Sequence, residues 1–234
     1  MLAAFLFLKR IFAPHVKIIR KRIKEVFKMK VLLINGSPRA NGNTNVALKE
    51  MIKIFEAEGI ETELIQIGNK MIRGCIACQK CFELGHCVFK DVVNEVAPKF
   101  MEADGFVVGA PVYYGSPNGT VLAFLDRLFY STFNKDKTMK VGAGVVICRR
   151  GGASASFDVF NKYFLMNNMA VAGSQYWNMA YGMNPGEATQ DAEGLQTMRT
   201  LARSMTFLMK SIALGKEQFG LPEKENWIPT HFIR

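Results

Sequence analysis

Residues 31–44 read VLLINGSPRANGNT, and this stretch decides the fold because an apolar run passes into a glycine-rich loop and then a helix. The run at 31–34 is typical of a short strand that is buried on both faces. Residues 45–58 have amphipathic helical spacing and end at Gly59. The segment therefore predicts a strand, a loop and a helix, with the loop at the helix N-terminus, where unpaired N–H groups can bind an anion.

The side chains of this loop suit the terminal phosphate of a ligand. Ser37, Asn43 and Thr44 supply hydroxyl and amide donors, and Arg39 supplies a planar cation whose N–H groups can pair with phosphate oxygens. Two glycines let the backbone turn tightly. The loop has neither the GxGxxG dinucleotide pattern nor the lysine of a P-loop. A plain turn with an N-cap at Asn43 or Thr44 is the alternative interpretation.

Strand and helix patterns alternate along the rest of the chain. Short apolar runs predict four further strands, at 62–67, 105–109, 141–147 and 170–174. Amphipathic stretches predict four further helices, at 91–102, 119–131, 154–169 and 190–214. The alternation predicts one doubly wound parallel α/β domain over residues 29–215, with an N-terminal extension at 1–28 and an irregular tail at 216–234.

Two more loops follow predicted strands at the edge of the sheet where doubly wound folds bind their ligands. The loop after the third strand offers a planar cofactor an apolar and aromatic wall, formed by Pro111, Val112, Tyr113, Tyr114 and Gly115. Ordinary half-buried packing of the two tyrosines is the alternative. The loop after the fourth strand combines positive charge with paired glycines, at Arg149, Arg150, Gly151 and Gly152.

The pattern GSPRxxGNT at 36–44 resembles the FMN-phosphate loop of the flavodoxin-like NAD(P)H-dependent FMN reductases, and the resemblance covers nearly all of residues 29–215. It implies a flavodoxin-like five-stranded parallel sheet in the order 2-1-3-4-5, with bound FMN. In the resembling proteins this loop holds the phosphate, which here implies contacts from Ser37, Arg39, Asn43, Thr44 and Asn45. The two later loops border the flavin ring in those proteins.

The resemblance also implies what the chain does with the flavin. NAD(P)H would transfer a hydride to FMN and the electrons would pass to a small-molecule or protein acceptor, so no catalytic side chain is required. Arg149 or Arg150 would offset the negative charge of the reduced ring. Two other functions stay open, namely an electron carrier that is reduced by ferredoxin and a flavin-linked redox sensor without turnover.

Four of the five cysteines lie within 13 residues, at Cys75, Cys78, Cys81 and Cys87. Tight C-x2-C-x2-C runs are the way in which ferredoxin-type loops bind a [4Fe–4S] cluster. The spacing resembles the compact motif of the iron–sulfur flavoproteins, which implies that these four thiolates bind such a cluster. A four-cysteine zinc site and a metal-free loop stay open, and disulfides are less expected without an export signal.

Further features concern contacts between subunits. Trp227 and Phe232 are apolar for a chain terminus, so they predict docking of the tail on a partner subunit. The resemblance implies a homodimer or homotetramer, because small reductases of this class build their flavin pocket across subunits. Asp126 and Arg127, which also match the family, predict a structural ion pair or a subunit contact.

The formal net charge of +10 is concentrated at the N-terminus. Residues 1–28 carry eight basic side chains and one acid, a net +7, which leaves +3 for the other 206 residues. This near balance argues against a nucleic acid partner. Residues 1–28 predict a basic amphipathic helix that could lie on an anionic membrane surface. We favour instead a leader before a natural start at Met29 and, without an export signal or a membrane span, a cytoplasmic location.

Overall fold

A computed structural model describes residues 28–233. The predicted amphipathic helix and membrane contact of residues 1–28 therefore lie outside the described residues, apart from Lys28 itself. Within the described part of the chain, no helix is both long enough and apolar enough to cross a bilayer.

The centre of the molecule is a parallel sheet whose strands alternate with helices. The described residues form seven strands: β1 (Lys30–Asn35), β2 (Glu61–Gln66), β3 (Gly105–Tyr113), β4 (Ser116–Pro117), β5 (Val141–Cys148), β6 (Ala170–Val171) and β7 (Met179–Tyr181). The parallel order is β2-β1-β3-β5, followed by β6 and β7, which both pair with β5. The predicted order 2-1-3-4-5 is confirmed, because β4 is only the second arm of a small antiparallel hairpin with β3.

The fifth position of the sheet differs from the predicted continuous strand at 170–174. It is filled by two short pieces, β6 and β7, with an irregular segment between them. Within that segment the Ser174 hydroxyl lies within hydrogen-bond distance of the Tyr176 carbonyl oxygen and of Asn178 Oδ1. Such local side-chain bonds offer the backbone an alternative to the strand ladder, so the strand is interrupted there.

The helices lie on both faces of the sheet. They are α1 (Asn43–Ala57), α2 (Cys81–Leu84), α3 (Val92–Glu102), α4 (Gly119–Ser131), α5 (Ala153–Met166) and α6 (Ala192–Phe219), with a 3-10 turn at Glu187–Gln190. Asp91 caps α3 by accepting a hydrogen bond from the Val93 N–H. The final helix continues past its predicted end at residue 214, so the tail predicted from residue 216 begins as helix and becomes irregular after Gly220.

Alternation along the central strands divides the core into two layers. Val31 and Leu33 point to the face covered by α1 and α6, while Leu32 and Ile34 point to the face covered by α3, α4 and α5. All four side chains are fully buried, as the unbroken apolar run predicts. The sheet is therefore doubly wound, and its carboxyl edge is left free for loops.

Two glycines of β5 let helix α5 approach the sheet closely. A Cβ atom on Gly142 would lie 2.7 Å from Cγ of the buried Phe164, and one on Gly144 would lie 2.7 Å from Cβ of Phe160. The glycines of the predicted fourth strand are therefore required by packing. They leave space for phenylalanine side chains that fill the layer beneath α5.

We expect Gly142→Ala to lower the free energy of unfolding by about 1–3 kcal/mol, because overpacking a dense core forces neighbouring groups to move. Urea unfolding followed by circular dichroism measures this change. Gly173→Ala is the matched control, since a Cβ there would meet no atom within 4 Å. Equal losses in the two variants would contradict the packing explanation.

Candidate functional site

The three predicted loops meet at the carboxyl edge of the sheet, around a cavity of about 200 Å³. Eight of the predicted cofactor-binding residues line its wall: Ser37, Arg39, Asn43, Thr44, Pro111, Val112, Tyr113 and Arg149. The other six lie outside the wall, at Asn45, Tyr114, Gly115, Arg150, Gly151 and Gly152. The structure thus brings the loops together as the doubly wound fold requires.

The loop after β1 places the N-terminus of helix α1 at this cavity. Helix α1 begins after Gly42, and no side chain caps its N-terminus, so its first N–H groups are available to an anion. The loop itself is ordered from within, because Ser37 Oγ accepts a bond of 3.2 Å from the Arg39 N–H. Ser37 and Thr44 are buried, while Arg39 remains exposed at the mouth.

The Asn43 side chain also forms two hydrogen bonds within the chain. Its Nδ2 donates to the Asn184 carbonyl at 2.9 Å, and its Oδ1 accepts from the Ala188 N–H at 3.1 Å. The side chain thereby fastens the segment after β7 across the mouth of the loop. Asn43 still has two donors that could bind a ligand, namely its backbone N–H and the second hydrogen of its side-chain amide.

The segment that follows β7 also borders the cavity, although it is not among the loops predicted from the sequence. Gly182 and Met183 line the cavity, and the Met183 carbonyl accepts a bond of 3.4 Å from Arg39. A Cβ on Gly182 would lie 2.5 Å from the amide of Asn43, so only glycine fits there without displacement. The missed signal was the glycine-rich stretch directly after a short strand, which is again a strand's carboxyl end.

The loop after β3 is a two-residue hairpin. Tyr113 pairs with Ser116, and the residues between them, Tyr114 and Gly115, have φ angles of 51° and 78°. Two positive φ angles are typical of a type I′ turn, which is unfavourable for tyrosine. The turn leaves Tyr114 fully exposed and keeps Tyr113 at the cavity wall.

The loop after β5 packs against that hairpin and places one arginine in the cavity wall. Gly152 has a φ of 86°, and a Cβ there would lie 2.8 Å from Cα of Gly115. Of the two predicted arginines, Arg149 lines the cavity and Arg150 does not. Cys148 is buried as predicted, and burial raises the pKa of its thiol, which suits a packing role.

The four clustered cysteines border a second, smaller cavity of about 20 Å³, which they share with Arg127. All of them are free thiols. Between them Ala77 and Gln79 have φ angles of 52° and 60°, and the Ala77 N–H donates to Cys75 Sγ. Residues 28–233 contain no group of three or more histidine, cysteine or acidic side chains already gathered as a metal site.

Arg127 is buried beside this cysteine loop, and its partner is not the predicted one. Its guanidinium forms a two-armed ion pair with Asp91 at 2.6 and 2.9 Å. The neighbouring Asp126 instead accepts a hydrogen bond from the Tyr163 hydroxyl. Asp126 and Arg127 do not pair with each other, because successive side chains on a helix do not face each other, and the structural ion pair joins Arg127 to Asp91 instead.

Comparison with known proteins identifies this arrangement. The profile of the NADPH-dependent FMN reductases matches residues 29–184, and the chain belongs to that family. Within the family it falls in the iron–sulfur flavoprotein branch. It is 35% identical over 79% of its length to an iron–sulfur flavoprotein of Methanocaldococcus jannaschii, of which it covers 99%. It is 28% identical over 81% of its length to an iron–sulfur flavoprotein of Methanosarcina thermophila, of which it covers the whole.

A solved structure supports the fold. That of RosB, with bound 8-demethyl-8-formylriboflavin-5′-phosphate, superposes with a TM-score of 0.60 at 15% identity. The match covers 87% of this chain and 92% of that one. Together, the family and the site define an FMN-dependent oxidoreductase.

We expect Arg39→Ala to weaken FMN binding about tenfold or more, because a hydrogen bond to a charged group contributes roughly 1.5–3 kcal/mol. Riboflavin lacks the phosphate, so its affinity should change little. Fluorescence titration of the flavin-free protein with both ligands measures the two constants. The control is Arg203→Ala, which removes an exposed positive charge from α6. Equal weakening of FMN and riboflavin would refute the phosphate contact.

Proposed function

We propose that this chain passes electrons from NAD(P)H to an acceptor by way of FMN and a [4Fe–4S] cluster held by Cys75, Cys78, Cys81 and Cys87. Bound FMN exchanges two electrons as a hydride or single electrons in turn, and a cluster exchanges single electrons. The observation that carries the proposal is that four thiols border one cavity on a chain whose flavin loops also converge.

The cysteine loop has the donor chemistry of a cluster site. Four thiolates complete the ligand set of a cubane cluster. The two left-handed residues between the cysteines turn the backbone N–H groups, and such turned backbones form concavities that bind anions, including iron–sulfur groups. A cavity of about 20 Å³ has room for about one water molecule, so the loop must open for a cluster to enter.

Different walls of the flavin cavity would contact different parts of the cofactor. The N-terminus of α1, Ser37 and Arg39 would hold the phosphate, and Tyr113 would border the ring. Arg149 would offset the negative charge that the ring gains on reduction. The side chains thus bind and tune the cofactor, and the cofactor supplies the hydride chemistry.

We also propose that the chain works as a homodimer or homotetramer. An apolar groove of about 1020 Å³ lies along α4 and α5, with Phe133, Met166 and Trp227 in its wall. The Trp227 ring lies 5.9 Å from the Phe133 ring of the same chain, and both are exposed. Contiguous exposed apolar surface marks sites of protein–protein contact.

One observation supports reduced ferredoxin as an alternative electron donor. Cys75 and Cys78 are exposed, so a cluster held by them would lie at the protein surface. A surface position favours single-electron exchange with another protein, whereas a hydride donor must reach the flavin. The nicotinamide and ferredoxin donors are therefore distinguished by which centre is reduced first.

Anaerobic reconstitution with iron and sulfide tests the cluster. We expect about four iron atoms per chain, because a cubane cluster contains four. Cys81→Ser should lose most of this iron, since it removes a thiolate ligand. Cys148→Ala is the control, because that thiol lies outside the cysteine loop. Iron content that is absent, or unaffected by Cys81→Ser, would refute the cluster.

Stopped-flow reduction under anaerobic conditions tests the donor. We expect NADPH or NADH to bleach the flavin absorbance near its oxidised maximum within the turnover range of flavin enzymes, roughly 1–1000 per second. Rapid reduction by ferredoxin alone would favour the electron carrier. Reduction by none of the three donors would favour the redox sensor.

A further inference from the structure

The guanidinium of Arg127 faces the sulfur of Cys87. Its Nε and Nη2 atoms lie 3.3 and 3.2 Å from Cys87 Sγ, and both geometries are those of hydrogen bonds donated to sulfur. The Arg127 side chain is only 1% exposed. Arginine is almost never fully buried unless it is paired, and here two of its N–H groups are directed at one cysteine.

The remaining contacts of Arg127 hold the loop at both ends. Its N–H groups reach the carbonyl oxygens of Arg73 and Phe89, which bracket the four cysteines, at 3.4 and 3.5 Å. Asp91 takes the other arm of the guanidinium and balances its charge. The arginine therefore spans the loop from its entrance to its exit.

Cys87 is the most firmly fixed of the four cysteines. Asn94 accepts a bond of 3.0 Å from its backbone N–H and donates one of 2.8 Å to its carbonyl oxygen. Its sulfur is held by Arg127, whereas Cys75 and Cys78 are exposed. The loop can therefore open around a ligand by movement of the exposed cysteines while Cys87 stays in place.

We propose that Arg127 is a positioning residue for the cluster, which fixes Cys87 as a ligand and raises the reduction potential through its two N–H···S hydrogen bonds. The proposal rests on the cluster proposed above. Reduction adds negative charge to the iron and its sulfur ligands, and hydrogen-bond donors stabilise that added charge. The paired Asp91 cancels the net charge of the arginine, which leaves the hydrogen bonds as the main local effect.

A double variant separates the hydrogen bonds from the charge. Arg127→Gln with Asp91→Asn removes one positive and one negative charge, so the net charge near the cluster is unchanged. Asparagine also caps helices well, so α3 should keep its N-cap. We expect the equilibrium constant for one-electron reduction to fall about tenfold, which is about 59 mV. Anaerobic titration followed by electron paramagnetic resonance measures the potential.

The single variants test the direction in which the reduction potential changes. Asp91→Asn alone leaves the arginine charge unbalanced and should raise the potential. Arg127→Lys keeps the charge but loses the fork that reaches sulfur and carboxylate together, so it should lower the potential. Arg199→Gln is the control, because Arg199 forms a similar pair with Glu50 on the opposite face of the sheet and should leave the potential unchanged.

The outcomes distinguish failure of the proposed cluster from failure of the proposed role of Arg127. A wild-type protein that binds no cluster would overturn both. A loaded double variant with an unchanged potential would overturn the role of Arg127 and leave the cluster intact. If the double variant does not fold or load, as judged by circular dichroism and iron content, Arg127→Lys decides in its place. An unchanged potential in Arg127→Lys would then show that Arg127 only stabilises the fold.

Discussion

The close approach of the backbone at Gly36 is the constraint on which the flavin site depends. The Gly36 N–H donates to the Gly109 carbonyl at 2.8 Å, and the Gly36 carbonyl accepts from the Asn118 side chain at 3.0 Å. A Cβ on Gly36 would lie 1.9 Å from the Val121 side chain. Because the loop after β1 is clamped between β3 and α4, its donors point into one cavity with little freedom to move.

Helix α4 connects this clamp to the cysteine loop. Asn118 and Val121 at its start hold Gly36 in the loop after β1, while Arg127 and Tyr130 further along border the cysteine cavity. Nine residues separate Asn118 from Arg127, which is roughly 13 Å along a helix axis. One rigid element therefore sets the positions of both candidate redox sites, and the two sites lie at different ends of it.

Much of this architecture could be predicted from the sequence. Alternating apolar runs and amphipathic stretches predicted the strands and helices, and the likeness of the loop at 36–44 to a known phosphate loop predicted the sheet order and the FMN site. The features that were not predicted arise where side chains compete with the backbone or reach distant elements. Ser174 interrupts the fifth strand, and Asn43 fastens the segment near Asn184. The Asn43 bonds join segments about 140 residues apart, so no local pattern predicts them.

The sequence by itself determined the class of the protein, because periodicity and motif spacing are properties of neighbouring residues along the chain. Only the tertiary structure decided which side chains meet. It placed Arg149, and not Arg150, at the cavity wall. It also paired Arg127 with Asp91 and Cys87 across about 40 residues. Such contacts depend on how helices pack against the sheet, which fixes distances between segments that are remote in sequence.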